Sequence, residues 1–291
     1  MPADPVVQDC DDAAVASGLD ALEQVCTRNR RIDWVAVLAP IGAVLLLIGI
    51  WELVVLAKVK PNYVLPGPAD VWHTLRQEFD NGDAVEAMWT SLRRGVLGFL
   101  IALVLGTVIG VVVGQISLLR KAFRPLLSAM QSLPSVAWVP AAVVWFHLSN
   151  ATIYAVILLG AVPSIAMGLI GGLDQTPPML ARVGRVLGAS RLQQIRYVLL
   201  PAALPTYVSG LKQGWAFSWR SLMAAELIVL SPRLGLGLGH LLNEGRDLSD
   251  MSLVITSIVL VLMVGIAVDL MVFAPLERRV LRNRGLTGAG L

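Results

Sequence analysis

The stretch "RVGRVLGASRLQQIRYVLLPAALP", residues 182–205, decides how this chain is read. Arg182, Arg185, Arg191 and Arg196 lie between two long apolar regions, with Gly188-Ala189-Ser190 at the middle and Leu200-Pro201 near the end. Pro177 and Pro178 suit a first helical turn. Leu180, Val183, Leu187, Leu192, Ile195 and Leu199 form an approximate helical stripe with the arginines largely off it. The spacing predicts a helical segment over 177–200 in which the small residues bend the chain or let another backbone approach. Two readings fit: a structured bend that docks a protein partner, or a basic loop that only sets membrane topology.

The flanking composition places this segment in a membrane protein. The chain has 291 residues, 56% of them hydrophobic and 15% charged, against about 45–50% and about 25% in soluble domains. Mean hydropathy is +0.72. A net charge of +3 fits lysine and arginine gathered on one membrane side better than nucleic-acid binding. Cys10 and Cys26 match no metal-ligand or disulfide framework. Residues 1–33 are polar and predict a cytosolic tail, either with a short helix around 13–26 or disordered with no role of its own; residues 281–291 predict a second short cytosolic tail. The apolar core of a cleaved leader would lie nearer the start.

A helix needs about 20 apolar residues to cross a bilayer. Trp34–Leu56, Gly95–Ser117, Leu204–Leu230 and Met251–Ala274 qualify, and the uncharged run Pro125–Leu173 holds two crossings around "HLSN" at 147–150. The expectation is an all-α membrane protein with six transmembrane helices in a domain over 34–280, a cytosolic helix between the fourth and fifth, and both termini cytosolic. The arginines and lysines at 28–31, 120–124, 182–196 and 278–284 then fall on one side. Residues 61–93 are too polar to span. Pro61, Pro66 and Pro68 are followed by an amphipathic helix with Val71, Leu75 and Phe79 on one face, predicted on the outer surface.

The sequence has no G-x-x-x-x-G-K-[ST] phosphate loop, no H-E-x-x-H and no G-x-S-x-G. His73, His147 and His240 are far apart, so neither a metal site nor a catalytic centre is expected.

The opening stretch resembles the EAA loop of ABC importer permeases, E-A-A-x3-G-x9-I-x-L-P. Gly188 falls on its glycine, Val198 on its isoleucine and Leu200-Pro201 on Leu-Pro. Arg182, Val183 and Gly184 stand at the Glu-Ala-Ala positions, so the acidic residue is missing. "LPGPADVWHTL" (65–75), "LLSAMQSLPSVAWVPAAVVWF" (126–146) and "WRSLMAAELIVLSPRLGLG" (219–237) are similar to the nitrate/sulfonate/taurine branch of that family. The resemblance covers residues 35–280. It implies a permease pair in a bacterial inner membrane, cytosolic ATPase subunits that carry ATP and Mg, and an extracytoplasmic solute-binding protein. It also implies ATPase docking around Arg182, Val183, Gly184, Gly188, Ala189, Ser190, Val198, Leu200 and Pro201. The chain itself is then neither an ATPase nor a cofactor carrier. The solute is expected to be a small anion such as a sulfonate, taurine or nitrate, with bicarbonate or a vitamin precursor as alternatives.

Within the spans, Gln131, Pro134 and Pro140 interrupt an uncharged run, either as a packing kink or as part of the translocation path. Gly106, Gly110 and Gly114 at i, i+4, i+8 predict a close helix contact. Trp215, Trp219, Met223 and Glu226 share one helical face, the aromatics serving packing or the path. Arg220 and Glu226, six residues apart, point to different faces. Intramembrane charges face a bundle interior or a watery cavity, so both are candidate path residues, with Glu52 and Asp269 as candidate partners. An ion-gradient-driven secondary transporter is the competing class, but no internal repeat supports it.

Overall fold

The computed structural model describes residues 34–58, 60–61, 63–231 and 234–282. The polar tail and its cysteines, the residues after Arg282, and Arg233 lie outside the described residues. The chain divides into two units, Met1–Leu53 and Val54–Leu291. The first contains most of α1 (Trp34–Leu56), an apolar helix of 23 residues.

The second unit opens with α2 (Pro68–Asn81), started by Pro68 in the first turn, where its missing N–H is harmless. The Gly67 N–H donates to the Asp70 carboxylate at 3.0 Å. Val71 is buried and Leu75 packs against the core, while Phe79 is 39% exposed. Gly82, at φ +89°, ends α2 and leads directly into α3 (Asp83–Gln115). At 1.5 Å per residue α3 is about 50 Å long. The second apolar helix therefore starts well before Gly95, because nothing between Asp83 and Arg94 breaks it.

The third expected span is not a straight helix. α4 (Ser117–Ser132) is followed by a 3-10 turn (Ser135–Trp138) and α5 (Val139–Phe146), and the pair bends by 100°. Pro134 has no N–H and forces Leu133 into an extended conformation (φ −75°, ψ 131°), which ends α4 there. Arg120, Lys121 and Arg124, expected in a loop, lie on α4. Arg120 and Arg124 reach the two oxygens of Asp174, at 2.6 and 2.8 Å.

α6 (Asn150–Gln175) and α9 (Leu200–Ile228) form the centre of this unit with α3. Small residues set their approach. A β-carbon on Gly168 would sit 2.5 Å from the Gly210 Cα, and one on Gly172 would sit 2.7 Å from the Ala203 carbonyl oxygen. The predicted stripe on α3 is used in the same way: Gly106 faces Ile165, Gly110 faces Leu169 and Gly114 faces Leu173. Larger residues at these points would push the helices apart.

Between α6 and α9 lie α7 (Pro178–Val186), α8 (Arg191–Gln194) and a π turn (Ile195–Leu199). After α9 comes α10 (Leu238–Asp247), in a segment read from the sequence only as a loop. α11 (Met251–Val268) follows, N-capped by Asp250 through the Ser252 and Leu253 N–H groups. A π turn (Asp269–Phe273) joins it to α12 (Ala274–Arg282). All regular structure among the described residues is helical. Three helical stretches, 83–115, 150–175 and 251–282, are long and apolar enough to cross a membrane, and the bent α4–α5 pair makes up to four.

Candidate functional site: the elbow and the pathway helices

The opening stretch folds as an elbow. Gly188 takes φ +76°, a left-handed conformation that costs an L-residue roughly 1–2 kcal/mol and glycine nothing. The chain closes there as the Ala189 N–H donates to the Gly184 carbonyl at 3.0 Å. Ser190 and Gln193 then satisfy each other's backbones: Ser190 N–H donates to Gln193 Oε1 at 2.8 Å and Gln193 N–H to Ser190 Oγ at 3.4 Å. This reciprocal cap starts α8. Across the elbow, a β-carbon on Gly184 would touch Val198 Cγ2 at 3.5 Å, so two positions of the motif pack together. The π turn at Ile195–Leu199 immediately precedes Pro201, whose ring cannot fit a regular helix without displacing the preceding carbonyls.

Nothing lies within 4 Å of where a Gly188 side chain would begin. The glycine is required here by backbone conformation, not by a close approach within the chain. On the outside of the elbow Val186 and Leu187 are 87% and 79% exposed, and with Met179, Val183 and Arg182 they line an open hollow. An exposed apolar patch with Arg182 at its edge is suited to a protein contact. Just before the elbow, Asp174 at the end of α6 holds Arg120 and Arg124, tying α6 to α4.

The pathway candidates separate into different environments. Gln131 reaches the Pro163 carbonyl at 3.5 Å, and Pro134 is exposed at the 100° bend. Trp215 and Trp219 are buried and stacked, with ring centres 6.0 Å apart and planes 21° apart. Phe99 meets Trp215 edge-on at 5.5 Å, and Phe273 lies at 6.3 Å. The tryptophan face of α9 thus packs against α3 and the turn after α11.

Glu226 is completely buried, and its partner is neither Glu52's helix nor Asp269 but Arg94, at 2.8 Å. Ser91 Oγ donates to the second carboxylate oxygen at 2.6 Å, and the Gly239 N–H to the same oxygen at 3.1 Å. Arg94 also donates to Asn150 Oδ1 at 3.1 Å and to the Leu234 carbonyl. Ser91 Oγ in turn accepts the Leu238 N–H at 2.8 Å. One network therefore joins α3, α6, α9 and the start of α10. Gly237 and Gly239 are needed where they stand, since β-carbons there would lie 2.8 and 2.4 Å from Glu226 atoms.

Sequence reasoning missed Arg94, Ser91 and Asn150. The signal that could have found Arg94 is the cost of an intramembrane carboxylate, which calls for a cation; Arg94 lies at the edge of an apolar run. Asp269, for its part, pairs with Lys212 at 3.1 Å, and Lys212 approaches Glu277 at 3.9 Å. Arg220 is exposed, donates from Nε to the Ala216 carbonyl at 3.2 Å and lies 4.6 Å from the Phe217 ring centre. It has no carboxylate partner among the described residues. No cluster of three or more metal-ligating residues occurs among the described residues.

Solved structures share this architecture. Two crystal forms of inward-facing conformations of the MetNI methionine ABC transporter each superpose with a TM-score of 0.51. They are 20% and 23% identical, covering 67% and 68% of this chain and 95% and 94% of theirs. Among sequence relatives, the taurine transport system permease protein TauC of Escherichia coli is 27% identical over 261 residues, covering 86% of this chain and 93% of its own. The nitrate import permease protein NrtB of a Synechocystis species is 28% identical over 242 residues, 80% of this chain and 86% of its own. The bicarbonate transport system permease protein CmpB of Synechococcus elongatus is 29% identical over 258 residues, 85% and 90% of the two chains. The family described as binding-protein-dependent transport system inner membrane component matches residues 102–282. That match takes in the bent helix pair, the elbow, the central α6–α9 crossing and the last span, and the chain belongs to this family of permease components.

Proposed function

We propose that this chain is the permease subunit of an ATP-driven importer in a bacterial cytoplasmic membrane, crossing it six times with both termini in the cytosol. Two copies form the path, cytosolic ATPase subunits dock on the elbow, and an external binding protein delivers the solute. The single observation that carries the reading is the Gly188 elbow. It places exposed Val186 and Leu187 at the end of α7, joined through α8 and the π turn to α9, the helix that also bears the intramembrane charges. Closure of an ATPase dimer on that knob would move α9 as a rigid lever, with the Asp174 clamp moving α4 alongside. The solute is a small anion, a sulfonate, taurine, nitrate or bicarbonate. Relatives named for three of these cover 80–86% of the chain, and Arg220 on α9 has no carboxylate partner among the described residues.

The test is reconstitution with the cognate ATPase and binding protein in lipid. The expected result is ATP hydrolysis stimulated by the loaded binding protein and abolished by Val186→Glu with Leu187→Glu. Full stimulation in that double variant would remove the elbow as the docking element.

A further inference from the structure

We propose that the groove between α9 and α11 is a binding site for a small monovalent oxoanion, held between the Arg220 guanidinium and the Trp219 indole N–H. The groove has a volume of about 570 Å³ and is lined by Trp219, Arg220, Lys212 and Asp269 among aliphatic residues of α11. Among its lining residues the charges do not cancel, Glu277 lying outside the groove at 3.9 Å from Lys212. Lys212 is taken by Asp269 at 3.1 Å, and Glu226, the only carboxylate of α9, is taken by Arg94 at 2.8 Å. Among the described residues Arg220 makes a single hydrogen bond, from Nε to Ala216, which leaves its two terminal nitrogens to donate elsewhere. Phe217 backs the guanidinium at 4.6 Å.

The second, independent observation is Trp219. The residue is 7% exposed, and its Nε1–H is buried with no acceptor. That nitrogen faces Gly265 of the same groove, where a β-carbon would meet it at 3.4 Å. Indole N–H and guanidinium are donors only, so a group held between them is an acceptor, and the guanidinium charge favours an anion. The aliphatic far wall, with Ile258 and Leu262, disfavours multiply charged, strongly hydrated ions. A nitrate, a carboxylate or a sulfonate head with a small body satisfies all three conditions. At 1.5 Å per residue, Arg220 lies about 12 Å from the Ile228 end of α9, so a lipid phosphate is the rival source of the same chemistry. As a station on the solute route the site rests on the transport reading above; as an anion site it stands on the groove alone.

The test uses the purified complex in lipid nanodiscs and follows tryptophan emission during titration with iodide, an anionic quencher. The expected result is a saturable component that methanesulfonate competes away. It should weaken at least about tenfold in Arg220→Gln, in line with the loss of hydrogen bonds to a charged group. It should persist in Arg220→Lys and vanish in Trp219→Phe. Purely linear quenching, or saturation unchanged in Arg220→Gln, overturns the site. Saturation present in detergent but absent in nanodiscs assigns Arg220 to lipid phosphates and also overturns it. The methanesulfonate competition needs no variant, so it decides even where Arg220→Gln does not fold. Binding-protein-stimulated ATP hydrolysis is measured on the same preparation. Its absence in the wild type sinks the transport reading, whereas normal hydrolysis with linear iodide quenching sinks the anion site alone.

Discussion

Arg94 of α3 and Glu226 of α9 meet at 2.8 Å with both side chains withdrawn from solvent. Each is also hydrogen-bonded by other groups: Ser91 and Gly239 on the carboxylate, Asn150 and the Leu234 carbonyl on the guanidinium. A buried pair adds little net stability over an apolar pair, but removing one member strands the other charge at about 3–5 kcal/mol. Glu226→Ala and Arg94→Ala are therefore each expected to lower the yield and melting temperature of folded permease sharply. The double variant Arg94→Met with Glu226→Leu should recover much of the loss. Thermal melting in detergent checks this; a double variant no better than the worse single one would show that the two charges do not act as a pair.

Gly188 is held at φ +76° with open space around it. Substitutions should therefore rank by tolerance of the left-handed conformation rather than by volume. Asparagine is expected to retain most ATPase stimulation, alanine less, and valine least. All three should insert normally, because the elbow lies outside the spans. A ranking by size alone, with asparagine worse than alanine, would mean that a partner surface presses on Gly188.

The α6–α9 crossing makes a sharper steric test. A β-carbon at Gly168 would lie 2.5 Å from the Gly210 Cα, whereas one at Gly171 would meet only Thr206 Cγ2 at 3.9 Å. Gly168→Ala is expected to reduce folded protein several-fold through forced helix separation, while Gly171→Ala is silent. Equal yields of the two variants by fluorescence-detected gel filtration would contradict the close crossing.

Much of this architecture could be read from residues. The α3 glycines, the faces of α9 and the helical elbow follow from periodicity, because side-chain spacing and backbone sterics are local properties. The 100° bend was only half legible. Pro134 marks where hydrogen bonding fails, but the angle depends on what α4 and α5 pack against. Arg94 and Asp174 were not found, since their meaning comes from partners 132 and 50–54 residues away. Helix α10 was read as loop for a related reason. Its polar residues obscure an apolar face whose Leu238 and Leu241 are buried in the apolar cluster with Leu222 of α9 and Leu253 and Leu260 of α11.

Glu78 offers a pH test outside the spans. Partial burial, then the charges of Asp83, Glu244 and Asp250, raise its carboxyl above the usual value. The folded state thus holds that proton to higher pH than the unfolded chain does. This favours folding most strongly at low pH, and the advantage is lost as pH rises through the raised value. Glu78→Gln removes the charge, so it should stabilise slightly at neutral pH, with the gain fading on acidification towards the unperturbed carboxylate range. The gain is small because the group is largely solvated. Melting temperatures at several pH values check the trend, and a gain that grows on acidification would reverse the assigned sign.

The ends of α9 decide the topology. Its 29 residues from Leu200 to Ile228 give a length of about 43 Å, against a hydrocarbon core of about 30 Å. The elbow with Ser190 leads into one end, and α10 packs at the other, where the Gly239 N–H meets Glu226. If α9 crosses the bilayer, exposed residues beyond its two ends must lie in different compartments. Ser190 and Leu248 are both exposed, so each accepts a cysteine without disturbing the core, in a background where Cys10 and Cys26 are replaced. With intact spheroplasts, an impermeant maleimide is expected to label Leu248→Cys and to spare Ser190→Cys until the membrane is broken. Labelling of both in intact cells, or of Ser190→Cys alone, would rule out a cytosolic elbow and with it the docking of an ATPase there.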